Sequence, residues 1–496
     1  MKNLNKSRFL ISVFLILLIT AGVSLNSSVS ADLFSSIQSF LSKYLGWLII
    51  LLANSFLFIS IALVFTKFKH IRLGGPDAIA TYSYSNWIAM LFSAGLGIGL
   101  LFYGVAEPIM HLNSYPGMID GDISYNANKA ITLTNLHWGL HGWAVYTVLG
   151  LCFAYSSYNK NMPFRVSSLL GESVTNNKFL AISIDVIAIL TTVFGIATSL
   201  GLGATQISAG LNHIFGISQT PLNELLIVVL ITMLGLISVS LGLDSGIKKL
   251  SQLNMIIAIG LLLAVFLLGP TVFILNALIQ NLGSYINNLF ESASWTEVYS
   301  DSSWQDGWTL FYYSWWFAWA PFVSLFIARI SYGRTIKEFI IGVLFVPSII
   351  VFLWMGIFGN AAIYQVINNS SDINQTVLDN MPIALFTLFD VYPLSQPLSV
   401  ISLLLIVTFF VTSSDSGSLV ASMLSSKKQI GINDDSPLIS RVTWAILLGV
   451  VAAMLMFAGG LTALQTSVVI TGVPFAIIIA FAFVEFYRSL KEETKS

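Results

Sequence analysis

Charge is the scarcest feature of this chain. Only 9% of its 496 residues are Asp, Glu, Lys or Arg, against about a quarter in soluble domains. Hydrophobic residues make up 56%, and mean hydropathy is +0.84. A water-soluble fold is excluded. The net charge of −1 offers no basic surface, so nucleic acid is not an expected partner. Cysteine occurs once, at Cys152, which excludes an intrachain disulfide. No Cys/His group has zinc spacing. His137 and His141 stand four apart, but no carboxylate accompanies them in sequence. Neither a Gly-x-Ser-x-Gly nor a His-Glu-x-x-His motif occurs, so an enzyme is not expected. No repeated pore element or ring of charge points to a channel.

Long apolar runs are plentiful. A membrane-spanning helix needs about 20 mostly apolar residues. Twelve runs qualify: 9–27, 46–66, 87–106, 130–157, 180–208, 222–242, 252–275, 307–329, 339–362, 397–421, 440–458 and 462–486. The first is flanked by Lys2, Lys6 and Arg8 and ends in small residues, a pattern shared with signal peptides. Its length favours a retained span. Lys and Arg collect on the cytoplasmic side of membrane proteins. With twelve spans and both termini cytoplasmic, all of the 22 Lys and Arg except Lys43 and Lys129 fall on that side. The sequence therefore predicts an all-α integral membrane protein of twelve spans in the cell membrane. Between the spans, residues 276–292 mix apolar and polar positions, as a helix lying on the membrane surface would.

Four stretches carry chemistry. Ser314 to Phe322 holds Trp315, Trp316 and Trp319. Helical spacing stacks Trp315 on Trp319 and puts Trp316 on the adjoining face. Electron-rich indole faces attract cations, quaternary ammonium groups above all, although such a cluster also suits helix packing. The third span runs through Gly95, Gly97 and Gly99. Alternate glycines weaken a helix, and an unwound backbone in a membrane belongs beside protein or a cavity; a helix-packing GxxxG face is the alternative. In the fourth span Trp138, Trp143 and Tyr146 share one helix face. In the tenth, Phe409 to Ser418 surrounds Asp415 with hydroxyls, and an acid inside a span is costly unless it pairs or functions.

With these stretches in place, the chain resembles the betaine/carnitine/choline transporter family. The resemblance rests on the run from Trp308 to Phe339, on Gly95 to Pro108 with Tyr103-Gly104-Val105-Ala106-Glu107-Pro108, and on Thr412-Ser413-Ser414-Asp415-Ser416-Gly417. It implies a leucine-transporter-like fold. Residues 1–86 would form the cytoplasmic N-terminus and two accessory spans. Residues 87–275 and 307–486 would be inverted five-helix repeats, separated by an external segment, 276–306, with its surface helix. Residues 487–496 would be a short cytoplasmic tail, without the long basic extension of osmotically regulated relatives. Unwound third and eighth spans would flank a central site. Relatives often form homotrimers.

The resemblance also assigns residues. An aromatic box of Trp138, Trp143, Tyr146 and Trp316, with neighbouring Trp315 and Trp319 and the glycines Gly95, Gly97 and Gly99, would bind a small quaternary-ammonium substrate. Sodium, as coupling ion and in place of any cofactor, would bind between Ser93 and Leu96 and the residues Phe409, Thr412 and Ser413. A second sodium position is matched by Thr192 and Phe322 but not by Ile196, which stands where relatives carry another threonine. Choline-selective relatives place an aspartate where this chain has Gly99. The implied function is import of glycine betaine by sodium symport. A choline or carnitine carrier or exchanger, coupled to protons or independent of sodium, is the alternative.

Overall fold

A backbone in hydrocarbon must satisfy its own polar groups, and a helix does so within one segment. The computed structural model, which describes residues 4–95, 97–241, 248–300, 302–368, 372–426 and 436–493, follows this rule: it is helical throughout, with no strand among the described residues. The principal helices are α1 (Lys6–Leu25), α2 (Ser27–Phe65), α3 (Tyr84–Gly95), α4 (Ile98–Ser114), α5 (Ile123–Trp138), α6 (Leu140–Tyr158) and α7 (Lys178–Phe215). They continue with α8 (Pro221–Leu241), α9 (Lys248–Leu268), α10 (Thr271–Ser294), α11 (Thr309–Ile330), α12 (Ile336–Ile367), α13 (Ser395–Leu424) and α14 (Leu438–Glu493). Among the described residues, nine helices are long and apolar enough to cross a membrane: α1, α2, α7, α8, α9, α11, α12, α13 and α14. The protein is an integral, multi-pass membrane protein.

The predicted spans 87–106 and 130–157 are not single helices. The first breaks between α3 and α4, where Gly97 is extended at φ −165° and ψ 180°. The second breaks at Gly139, with φ −87° and ψ −138°. The break in the fourth span was not expected from sequence. A Cβ at Gly139 would lie 2.5 Å from the Asn135 carbonyl oxygen and 2.9 Å from the Tyr285 hydroxyl, so only glycine lets the chain pass. The predicted eighth span, expected to unwind, is instead continuous helix in α11, with Pro321 inside it. The last two predicted spans run together in α14 and turn at Gly460, where φ is +58°, a region glycine adopts freely.

Two boundaries also move. α2 begins at Ser27 rather than at residue 46, because nothing between breaks a helix and an apolar criterion misses its polar extension. The seventh span ends at Leu268 rather than at residue 275. Gly269-Pro270 interrupts it, since proline cannot continue the hydrogen-bond ladder, and the expected surface helix starts at Thr271.

Polar ties hold the ends. Arg8 Nε lies 2.6 Å from Asp185 Oδ2, both nearly buried, and Asp185 also accepts from the Ser167 backbone N–H and hydroxyl. The loop after α2 pairs with the loop after α11: Arg72 Nη1 donates to the Gly333 carbonyl at 2.6 Å, and Arg334 Nη2 to the Tyr82 carbonyl at 2.7 Å. Gly333 has φ +79°, and a Cβ there would lie 2.4 Å from the Ala80 backbone nitrogen. Gly333→Ala is expected to cost at least about 1 kcal/mol from the left-handed backbone alone, read as a lower unfolding temperature in detergent. An unchanged temperature would show that the two loops separate without penalty.

Candidate functional site

The site forms where helices break and glycines leave room for rings. At a helix end the last carbonyls lack intrahelical partners. The break at Gly139 leaves the His137 carbonyl available, and Trp316 Nε1 of α11 donates to it at 2.8 Å. The Trp316 ring lies directly on Gly142, where a Cβ would sit 2.2 Å from its Cε2. Trp138 is placed by the same logic. Its ring edge lies where a Gly99 Cβ would be, 2.4 Å from Cη2, and its N–H donates to Glu107 Oε2 at 2.7 Å.

These rings wall one cavity, lined by Gly97, Ile98, Gly99 and Leu100 of the break and α4, by Trp138, Trp143 and Tyr146, by Ser199 of α7, and by Trp315, Trp316 and Trp319. All six predicted aromatic residues and two of the three glycines are therefore brought together. Gly95 ends α3. Trp316 meets Tyr146 at 5.1 Å, Trp143 at 5.8 Å and Trp138 at 6.1 Å between centroids, with interplanar angles of 59°, 61° and 78°. Steeply inclined rings present faces to the space between them, the surface that attracts a cation. The indole N–H groups of Trp143 and Trp315 and the Ser199 hydroxyl are buried without a protein partner. Buried donors are nearly always paired, so a ligand's acceptor oxygens suit them.

The expected stacking of Trp315 on Trp319 is not formed. Trp315 stacks on Phe311 at 5.5 Å and 21°. Trp319 is turned away by its N–H, which donates to the Gly195 carbonyl at 2.8 Å.

The predicted ion ligands are only partly visible. Leu96 lies outside the described residues, as does the side chain of Ser93. On α13, Phe409 and Thr412 are buried and Ser413 is half-buried. The Thr412 hydroxyl bonds back to the Thr408 and Phe409 carbonyls at 3.0 and 3.1 Å and receives Asn254 Nδ2 at 3.4 Å. Thr192 bonds back to the Ala188 carbonyl at 2.8 Å. Ile196 is fully buried and packs toward Gly417, while Phe322 packs on Trp319 at 5.5 Å.

Sequence reasoning missed a polar cluster beside the cavity. Glu107, completely buried in α4, brings a carboxylate to His137 after all. His137 Nδ1 lies 2.7 Å and His111 Nε2 3.0 Å from Glu107 Oε1, and Tyr312 donates to Oε2 at 2.5 Å. His141 points elsewhere, to Asn54. The ligand atoms of Glu107, His111 and His137 lie within 4.8 Å of one another, a spacing that could hold a metal ion. All three are already engaged in hydrogen bonds. The available signal was a glutamate next to an apolar span, Ala106-Glu107-Pro108.

The sequence profile of the BCCT, betaine/carnitine/choline family transporters, matches residues 8–495. A glycine betaine/proline/choline transporter of Vibrio parahaemolyticus is 40% identical over 482 residues, covering 93% of this chain and 86% of its own. The glycine betaine transporter OpuD of Bacillus subtilis is 39% identical over 498 residues, covering 98% and 95%. A glycine betaine transporter of Acinetobacter baylyi is 38% identical over 483 residues, covering 96% and 72%. The chain thus belongs to the betaine/carnitine/choline transporter family and is a membrane transporter, not an enzyme.

Proposed function

We propose that the protein imports glycine betaine, or a closely related quaternary-ammonium solute, by sodium symport with alternating access. The observation that carries this reading is the cavity walled by Trp138, Trp143, Tyr146, Trp315, Trp316 and Trp319. Its ring faces suit a trimethylammonium head. Its unpaired indole N–H groups at Trp143 and Trp315 suit the carboxylate that glycine betaine carries and choline lacks. The names of the Acinetobacter and Bacillus relatives support the same substrate class. Uptake of labelled betaine and choline into proteoliposomes, under sodium, proton or no imposed gradient, tests it. Uptake driven by protons without sodium would favour the proton-coupled alternative.

The architecture belongs to the same proposal. Counting the broken pairs α3–α4 and α5–α6 as one span each, and α14 as two, gives twelve spans, with both termini cytoplasmic and inverted repeats of five. A homotrimer is proposed through α10. This helix exposes Val272, Leu275, Ile279, Leu282 and Ile286 at spacings of three and four while burying Ile274, Asn281 and Tyr285 on its other side.

For coupling, sodium is placed between the α3–α4 break and the α13 residues Phe409, Thr412 and Ser413, a set of hydroxyl and carbonyl oxygens. No second sodium position is proposed, because Ile196 puts hydrocarbon where an oxygen ligand is needed. Thr412→Ala is expected to raise the sodium concentration for half-maximal uptake several-fold while uptake at saturating sodium falls less. An unchanged sodium dependence in Thr412→Ala/Ser413→Ala would remove this site.

A further inference from the structure

We infer that Glu107 is a specificity-determining residue of the cavity: its buried carboxylate holds the Trp138 ring in place and supplies the negative charge that makes the aromatic walls prefer a cationic head group over an uncharged one of the same shape. This rests on the substrate reading above and extends it to a residue outside the cavity lining.

An ionised carboxylate only accepts, and it has about four lone-pair sites. Four groups converge on Glu107: the Trp138 N–H and Tyr312 O–H on Oε2, and ring nitrogens of His137 and His111 on Oε1. An indole N–H can only donate, and a tyrosine hydroxyl donates readily to a carboxylate. Because the carboxylate only accepts, His137 Nδ1 donates to it, and the Thr309 hydroxyl, 3.0 Å from the second nitrogen, can serve as that nitrogen's partner. Among the described residues, no Lys or Arg forms an ion pair with this carboxylate.

The placement gives the charge a function. Trp138 stands between the carboxylate and the cavity, with its N–H on Glu107 and its ring edge against Gly99. A hydrogen bond to an anion pushes electron density into the donor group, and the Trp138 face becomes a stronger cation acceptor. The carboxylate also acts through space. Glu107 and Trp138 are both buried, so its field reaches across the width of one indole only partly screened. A neutral head of the same shape would gain nothing from either effect. The ring contacts of Tyr312 with Trp138 at 5.3 Å and with Tyr103 at 5.5 Å extend the same clamp around the outer wall.

Two ligands separate charge from shape. Glycine betaine and 3,3-dimethylbutyrate share a carboxylate and a three-methyl head, and differ in having nitrogen or carbon at its centre. Dissociation constants are measured for both, by direct binding and competition, with the purified parent, Glu107→Gln and Glu107→Asp, each checked for folding by thermal unfolding. In Glu107→Gln, betaine is expected to weaken about tenfold, the size of one partly screened charge at this range, while the isostere changes less than about twofold. In Glu107→Asp, both ligands weaken because the shorter side chain releases Trp138, but their ratio stays within about threefold of the parent. Equal loss of both ligands in Glu107→Gln, or no loss of either, overturns the inference. If the Gln variant fails to fold, collapse of the ratio in Glu107→Asp overturns it equally. A parent protein that does not bind betaine would instead overturn the substrate reading, a distinct result.

Discussion

Replacing Trp316 by alanine is expected to raise the dissociation constant for glycine betaine by roughly 30-fold. A cation–π contact in a desolvated site contributes about 2 kcal/mol, and about 1.4 kcal/mol is a factor of ten. Trp316 is the ring to remove because, among the described residues, it alone meets Tyr146, Trp143 and Trp138. Trp316→Phe keeps a face but loses the bond to the His137 carbonyl, and should cost less. Gly142→Ala provides an independent check without touching any aromatic residue. Its Cβ would fall 2.2 Å from the Trp316 ring, so the ring must leave its seat and affinity should drop by a comparable factor. The measurement is equilibrium binding to purified protein, with sodium held at saturation. Parent-like affinity in both Trp316→Ala and Gly142→Ala would exclude Trp316 from the binding surface.

Gly142 also shows where sequence stops being informative. The aromatic residues were legible because tryptophan inside a span is chemically unusual, and their periodicity put Trp138, Trp143 and Tyr146 on one face. The glycine run in the third span is legible because alternate glycines weaken a helix, and Gly97 is extended between α3 and α4. A single glycine in a tryptophan-rich span gives no such local signal. The break in the fourth span admits only glycine, because a Cβ at Gly139 would meet the Asn135 carbonyl and the Tyr285 hydroxyl, and Tyr285 is contributed by α10, far away in sequence. Gly142 matters only through a ring from α11. The Trp315–Trp319 stack failed for the same reason. Helical spacing made the rings neighbours, but Phe311 on one side and the Gly195 carbonyl on the other claimed them. The role of Glu107 has no local signature, because its four partners come from α4, α5 and α11. Period and composition report which face a residue is on. They do not report what a neighbouring helix places there.

Gly99→Asp is expected to raise choline transport by at least about tenfold over Gly99→Ala, and the comparison with alanine is essential. Gly99 lines the cavity, and a Cβ there would lie 2.4 Å from Trp138 Cη2 and 3.2 Å from Trp315 Cη2. Trp138 cannot yield cheaply, since its N–H is held by Glu107 at 2.7 Å. Any side chain at this position therefore displaces a wall of the cavity, and Gly99→Ala alone should weaken betaine. Aspartate carries the same steric cost but adds an anion. Choline brings an uncompensated positive charge into a low-dielectric site, which is expensive. Opposite charges about 5 Å apart attract by roughly 3 kcal/mol at an effective dielectric near 20. Desolvating the new carboxylate takes back part of this, leaving a net gain on the order of 1.4 kcal/mol, or tenfold. Betaine already carries its own carboxylate and gains less, so the choline-to-betaine ratio should rise in Gly99→Asp relative to both the parent and Gly99→Ala. Uptake of both labelled solutes into proteoliposomes measures it, with expression and unfolding temperature matched. If Gly99→Asp and Gly99→Ala are indistinguishable with choline, the position does not present its side chain to the substrate. If the parent already carries choline as readily as betaine, the neutral glycine is not what sets the choice between them.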